Sequence, residues 1–228
     1  MTVYLLSEAV QAAKALLPHM SKDDLLNLIT HIHVRDGYVW EATDRYSLGA
    51  VTLTPAPEPF NEATDDTADL LLPRAAVEYL AKLNVKTLRF GKNVVWAEEN
   101  YRVEFTASTV GPRSVTVRLF VQTGTSPEDV PLEDSSRTFD TIEGDYPPIH
   151  KLLFDAKKHA NSADPMCYAP DKLERLSASA KAFGTGNNAP QIWLKPSGHK
   201  AMVAQIGPNM EVLIMPVRGG EVPESFNN

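Results

Sequence analysis

His31 and His33 come nearest to a catalytic or metal-binding constellation. They stand two apart in a stretch that reads as a strand, so they point to one side of it and could share a metal ion. No third ligand is evident nearby, and the pair reads as structural. Asp23-Asp24 and Asp65-Asp66 are adjacent carboxylates, which diverge in a helix or an extended chain and cannot easily share a proton or a metal. Gly184-Thr185-Gly186 follows a helical pattern and precedes none, the reverse of a dinucleotide-binding turn. No P-loop, G-x-S-x-G elbow or H-E-x-x-H occurs. Cys167 is the single cysteine, so an internal disulfide and a cysteine-based zinc site are excluded, and it reads as a buried, inert thiol. The expectation is a protein that is not an enzyme and carries no cofactor. The rival is an enzyme in which His31, His33 and an acidic loop hold a metal.

The elements that would position such residues form a repeat. A first helix reads from Ser7 as N-cap and Glu8 in the first turn, with Val10, Ala13, Leu16 and Leu17 on one face and Pro18 as its end. A second has Pro73 at its first position, Val77, Leu80 and Ala81 inward, and a stop near Asn84. A third begins at Pro170, lines Leu173, Leu176 and Phe183 along a face, and stops at Gly184. A strand-rich block follows each. Leu28 to Val34, the Arg35-Asp36-Gly37 turn and Tyr38 to Ala42 form the first. Thr87 to Phe90, Gly91-Lys92-Asn93 and Val94 to Ala97 form the second. Ile192 to Leu194, Ser197-Gly198, Met202 to Ile206 and Glu211 to Ile214 form the third. This is a helix-then-hairpin repeat. Tyr101 to Thr106 and Ser114 to Val121, within residues 101–122, have no counterpart and read as an inserted hairpin. Phe154 to Asn161 is short and polar and reads as a linker between units 1–153 and 164–228.

Composition sets the outer limits. A chain of 228 residues, 43% hydrophobic and 22% charged, is neither disordered nor collagen-like and is long enough for a real core. No apolar run approaches the roughly 18 residues of a membrane span. The start MTVYLLSEAVQ lacks a basic n-region and carries Glu8 inside the apolar stretch, so a cytoplasmic protein is expected. The net charge of -7 argues against a simple basic nucleic-acid binder. Acid is concentrated at Glu58, Glu62, Asp65, Asp66 and Asp69, and again at Glu128, Asp129, Glu133 and Asp134, both read as solvated loops.

Three short segments carry a resemblance: Ala42-Thr43-Asp44-Arg45-Tyr46-Ser47-Leu48-Gly49, Gly144-Asp145-Tyr146-Pro147-Pro148-Ile149-His150-Lys151-Leu152-Leu153, and Leu213-Ile214-Met215-Pro216-Val217-Arg218. In this combination and order the chain resembles the bacterial sliding clamp, the β-subunit processivity factor of the replicative DNA polymerase. Position 45 is Arg where the family more often has glycine, and position 47 is Ser where it often has arginine. Only three half-modules are recognisable, against the three two-module domains of a full bacterial clamp.

The resemblance implies an α+β DNA clamp fold of repeated helix plus antiparallel-sheet half-modules. It implies a peptide-binding groove formed by Thr43, Arg45, Tyr46, Leu48, Pro147, Lys151, Leu152, Leu213, Met215, Pro216, Val217 and Arg218. Helices that line a central hole would face DNA with Lys14, Lys22, Arg74, Lys82, Lys172, Arg175 and Lys181. Lys172, Arg175 and Ser179 fall at i, i+3 and i+7, one stripe of the third helix. The implied partners are double-stranded DNA bound without sequence readout, and a DNA polymerase and clamp loader docking through short peptides. The implied assembly is a homo-oligomer ring, a trimer by analogy with clamps of two domains per chain. The alternative is a clamp-derived peptide-binding adaptor that forms no ring.

Overall fold

The computed structural model describes residues 2–54, 69–88, 97–108, 111–122, 130–158, 167–184, 190–195 and 201–217. Within these residues the chain runs β1 (Thr2–Leu5), α1 (Leu6–Leu16), β2 (His31–Arg35), β3 (Val39–Thr43), β4 (Ser47–Thr52), β5 (Leu70–Pro73), α2 (Arg74–Lys82), β6 (Tyr101–Ser108), β7 (Ser114–Val121), β8 (Val130–Asp140), α3 (Ile149–Lys158), α4 (Pro170–Phe183), β9 (Ile192–Lys195), β10 (Met202–Ile206) and β11 (Met210–Ile214). Short 3₁₀ turns occupy Leu17–His19, Asp24–Thr30, Val85–Thr87 and Glu98–Asn100. None of the described helices is long and apolar enough to cross a membrane.

The strands form two antiparallel sheets. One has the order β1-β6-β7-β8, and the other has seven strands in the order β5-β2-β3-β4-β11-β10-β9. The first two units exchange strands: β1 precedes α1 yet pairs with β6, while β5 precedes α2 yet pairs with β2. The hairpin between β2 and β3 turns where the sequence marks it, with Asp36 at φ 53° and Gly37 at φ 71°, the two positive values a tight primed turn requires.

Alternation along the strands decides what each face covers. Ile32, Val34, Trp40, Ala42, Val51, Val212 and Ile214 point to the side of α1, α2 and α4, and α1 packs between the other two helices. Val39, Leu48, Ala50, Val203 and Leu213 point to the opposite face, which α3 covers with Ile149, Leu153 and Ala156. Tyr4, Trp40 and Phe105 meet edge-on at centroid distances of 5.6–5.9 Å, tying β1, β3 and β6 into the main core. The Tyr4 hydroxyl donates to Gly37 O at 2.7 Å.

Several expectations give way here. The segment 154–161 is no linker as far as it is described: α3 runs to Lys158 and buries Leu153 and Ala156, while 159–166 lie outside the described residues. The sheet runs unbroken past this point because β4 pairs with β11. The 101–122 strands are no insertion, since β6 is the partner that β1 needs. The strand expected from Leu28 starts only at His31, after a 3₁₀ stretch opened by Asp23 Oδ1 accepting from Leu25 N at 3.0 Å. Val85–Thr87 is a 3₁₀ turn where a strand was expected to begin, and residues 89–96, like Ser197-Gly198, lie outside the described set. Ser7 is helical, the N-cap of α1 being Leu5 with no side-chain cap. Pro73 is an N-cap that also ends β5. Leu173 is exposed, because α4 turns the row of Leu176 and Ala180 inward. Cys167 is exposed in the coil before α4. Glu133 and Asp134 fall in β8 and Asp69 immediately precedes β5; Glu58, Glu62, Asp65, Asp66, Glu128 and Asp129 lie outside the described residues.

Candidate peptide-binding groove

The reversal between β3 and β4 is built by short polar side chains. Asp44 Oδ1 accepts from the backbone N–H of Tyr46 at 3.0 Å and of Ser47 at 2.7 Å, an Asx-type turn. The Thr43 hydroxyl donates to Ser47 O at 2.9 Å and accepts from Arg45 N at 3.1 Å. So held, Arg45 takes φ 78°, left-handed backbone that costs a non-glycine residue about 1–2 kcal/mol. Arginine stands where glycine would be the easier choice, and the hydrogen bonds around it offset the strain.

One wall of a cleft of about 690 Å³ is this turn. Its floor is Leu48 and Leu213, both 4% exposed, and its other wall is one side of α3, Ile149, Leu152 and Ala156, with Pro147 just before it. Ile29, Ser47, Ala201, Asp155 and Met215 complete the lining, and Met215 N extends the ladder by donating to Tyr46 O at 2.9 Å. Tyr46, Leu152 and Met215 leave 55%, 50% and 43% of their surface uncovered, so large apolar groups converge on open space. The segment before α3 is pinned from two sides. A Cβ on Gly144 would stand 2.7 Å from Leu28 Cδ2, so any larger residue there would have to push the Leu28 side chain aside. Tyr146 stacks on His33 at 5.0 Å and its hydroxyl donates to His31 O at 3.1 Å; burial pushes that hydroxyl's pKa up.

Solved structures share this architecture. The DNA polymerase III beta subunit of Thermotoga maritima superposes with a TM-score of 0.56 at 10% identity, covering 99% of this chain and 66% of its own. The DNA polymerase sliding clamp of Pseudomonas aeruginosa, solved with a ligand, gives 0.55 at 11% identity over 95% and 66%. The beta sliding clamp of C. crescentus gives 0.57 at 12% over 96% and 66%. This is the bacterial sliding-clamp fold. The chain spans just under two thirds of the length of these clamps. No protein-family model matches the chain and no curated protein matches it in sequence.

On this clamp fold, Thr43, Arg45, Tyr46, Leu48, Pro147, Leu152, Leu213 and Met215 come together around the cleft. Lys151 is exposed on α3 beside His150, Phe154 and Asp155 and does not line it. Pro216 and Val217 follow the ladder beyond the lining, where Val217 N donates to Cys167 O at 3.0 Å, and Arg218 lies outside the described residues. Reading 154–161 as a linker hides Asp155 and Ala156 from the sequence. Ile149, Leu153 and Ala156 at i, i+4 and i+7 are the signal that could reveal the helix.

The helical side of the clamp fold carries the expected cations in two conditions. Lys14, Lys22, Lys82 and Lys181 are exposed, with no ion pair among the described residues. Arg74 pairs with Glu78 at 2.9 Å and donates to Ser21 O at 3.2 Å. Lys172 and Arg175 turn inward to Asp44, Lys172 at 3.2 Å and Arg175 in close contact. Burial pushes the Asp44 carboxyl up, but hydrogen bonds from Arg175, the Ser47 backbone and Lys172 outweigh it and hold the pKa below 3.8.

The histidines His19, His31 and His33 are engaged in structure. His19 is fully buried, and burial first, with the charge of Arg175, lowers its pKa to about 3. Ser179 donates to Ala15 O at 2.7 Å, so it accepts from His19 Nε2 at 3.1 Å, and the neutral ring's Nδ1 meets the Ser47 hydroxyl at 3.2 Å. His31 and His33 do share a face, yet His31 Nδ1 and both nitrogens of His33 already have partners. His31 Nδ1 donates to Asn27 O at 2.8 Å, and His33 lies 3.2 Å from Glu41 and 3.1 Å from Asp69. No group of three His, Cys, Asp or Glu side chains among the described residues could hold a metal ion.

Proposed function

We propose that this chain is a DNA sliding clamp, a processivity factor that encircles duplex DNA without reading its sequence and docks a polymerase and a clamp loader through short peptides. The observation that carries this is the open apolar cleft over Leu48, Leu213, Leu152 and Met215, set on a fold shared with DNA polymerase III beta subunits. The reading makes the protein a cytoplasmic replication factor with no catalytic centre, cofactor or metal.

Ring closure has a candidate seam. Among the described residues β1 and β8 are the edges of one sheet and β5 and β9 those of the other, and β9 leaves Ile192, Trp193 and Leu194 exposed at 38%, 67% and 52%. An uncovered apolar edge strand is a template for another strand, here one from a second copy, and a trimer is the favoured ring. Exposed Lys14, Lys82 and Lys181 on the helical side would meet phosphates inside it.

In the adaptor reading the cleft over Leu48, Leu152, Leu213 and Met215 docks peptides without ring closure. Loading onto a nicked circle and onto a linear duplex of equal length, with mass by light scattering, separates the two. A clamp is retained on the circle, slides off free ends and has a ring-sized mass. A monomer lost equally from both substrates is the adaptor.

A further inference from the structure

α4 sends one stripe of side chains, Lys172, Arg175 and Ser179, toward the back of the groove turn. Lys172 and Arg175 close on Asp44 Oδ2, while the other carboxylate oxygen holds the turn's own N–H groups. Arg175 also donates to the Ser47 hydroxyl at 2.8 Å, and Ser179 reaches the same serine through His19. The pairs are largely withdrawn from water: side-chain exposure is 13% for Lys172, 22% for Arg175 and 11% for Asp44. A phosphate could take both cations only by stripping this partly buried carboxylate of its ion pairs, which is unfavourable, and taking one would break a largely desolvated pair. The exposed Lys14, Lys82 and Lys181 face no such competition.

We propose that Lys172 and Arg175 are positioning residues of the groove, withheld from DNA: anchored on Asp44, they fix the left-handed Arg45 and the Tyr46 wall against which a peptide docks. This rests on the reading of the cleft as a peptide groove. It divides the basic residues of one helix by role, with Lys181 left to the duplex and the Lys172–Arg175 stripe assigned to the peptide.

The test compares Arg175→Met, the charge-keeping Arg175→Lys, Asp44→Asn and Lys14→Ala/Lys82→Ala. Three readouts apply: amide hydrogen exchange of residues 43–47, anisotropy of a fluorescein-labelled peptide with leucine and phenylalanine anchors, and binding to a short duplex at low salt. Arg175→Met should accelerate exchange in the turn, leave β6 and β7 unchanged, weaken the peptide on the order of tenfold and leave duplex binding within error. Arg175→Lys should recover most of the peptide affinity. Arg175→Met and Asp44→Asn together should cost less than the sum of the two single changes, because both remove the Arg175–Asp44 pair, with the loss of the Lys172 pair as the part that Asp44→Asn adds. The lysine pair should do the opposite, weakening the duplex and sparing the peptide. Unchanged exchange and peptide affinity alongside weakened duplex binding in Arg175→Met would overturn the assignment. If the unaltered chain binds no such peptide, the groove reading fails by itself, and the exchange data still decide whether these residues position the turn.

Discussion

Leu48 on β4 stands directly opposite Leu213 on β11, and this cross-strand pair is the floor of the cleft. The floor is therefore part of a hydrogen-bonded ladder, while the walls are a turn and a helix that the ladder carries. Substitutions in the walls should change binding, and substitutions in the floor should change the fold.

Met215→Asp tests a wall. Met215 is 43% exposed, so a charge there stays hydrated in the free protein and the melting temperature should hold. A docked apolar anchor would bury that charge unpaired, at a cost of about 2–4 kcal/mol in peptide affinity. Titration of a labelled peptide, alongside thermal unfolding, reads both quantities.

Acid should destabilise the chain from pH 6.5 downward through His19. Its pKa is about 3 when folded and 6.5 when unfolded, so between these values only the unfolded chain takes the proton. The slope is about 1.4 kcal/mol per pH unit. His31, also lowered by burial, adds to it. His33 opposes it: burial lowers its pKa, but Glu41 and Asp69 raise it further, so its contribution is full below 6.5 and fades as pH rises through its folded value. Asp44, held low, contributes above about 3.8 and is lost only below that. Urea unfolding from pH 7.5 to 4.5 should give a flatter profile for His19→Gln than for the unaltered chain.

Salt dependence should report how many phosphates the lysines neutralise. Replacing Lys14, Lys82 and Lys181 with alanine should reduce the log–log salt slope of duplex binding by about 0.9 for each phosphate no longer neutralised. Fluorescence anisotropy across a potassium chloride series measures this, and an unaltered slope would place DNA elsewhere.

Trp193→Lys should lower the assembled mass without lowering the melting temperature. Trp193 is 67% exposed on β9, so the isolated chain loses little packing, while a strand docking along that edge would meet a new charge. Light scattering over a concentration series is the measurement.

Much of this was legible in the residues because turns and periodicity are local. Asp36-Gly37 marks its hairpin, Pro170 opens its helix, and the β10 and β11 alternation announces both faces. The groove segments stood out only through their resemblance to a family, and in the structure Thr43 and Asp44 build the turn between β3 and β4. What stayed hidden was decided at long range. β1 and β5 are too short to show a pattern, and their partners lie in the other unit. Lys172 and Arg175 looked like solvent-facing cations because nothing near them in the chain reveals that Asp44, 128 and 131 positions away, would claim them.

The exchange of β1 and β5 between units has a consequence for the order in which the molecule can be made. As the nascent chain leaves the ribosome, β1 emerges first yet finds no partner until β6 follows, and β4 waits for β11 near the far end. Neither sheet can close early, so the long-range closures come late and the chain should fold slowly, with unpaired strand edges exposed on the way. A fragment ending after β4 would leave β1 unpaired and the outer edges of β2 and β4 bare. Such a piece should be an aggregation-prone client for chaperones, and not a smaller working version of the protein.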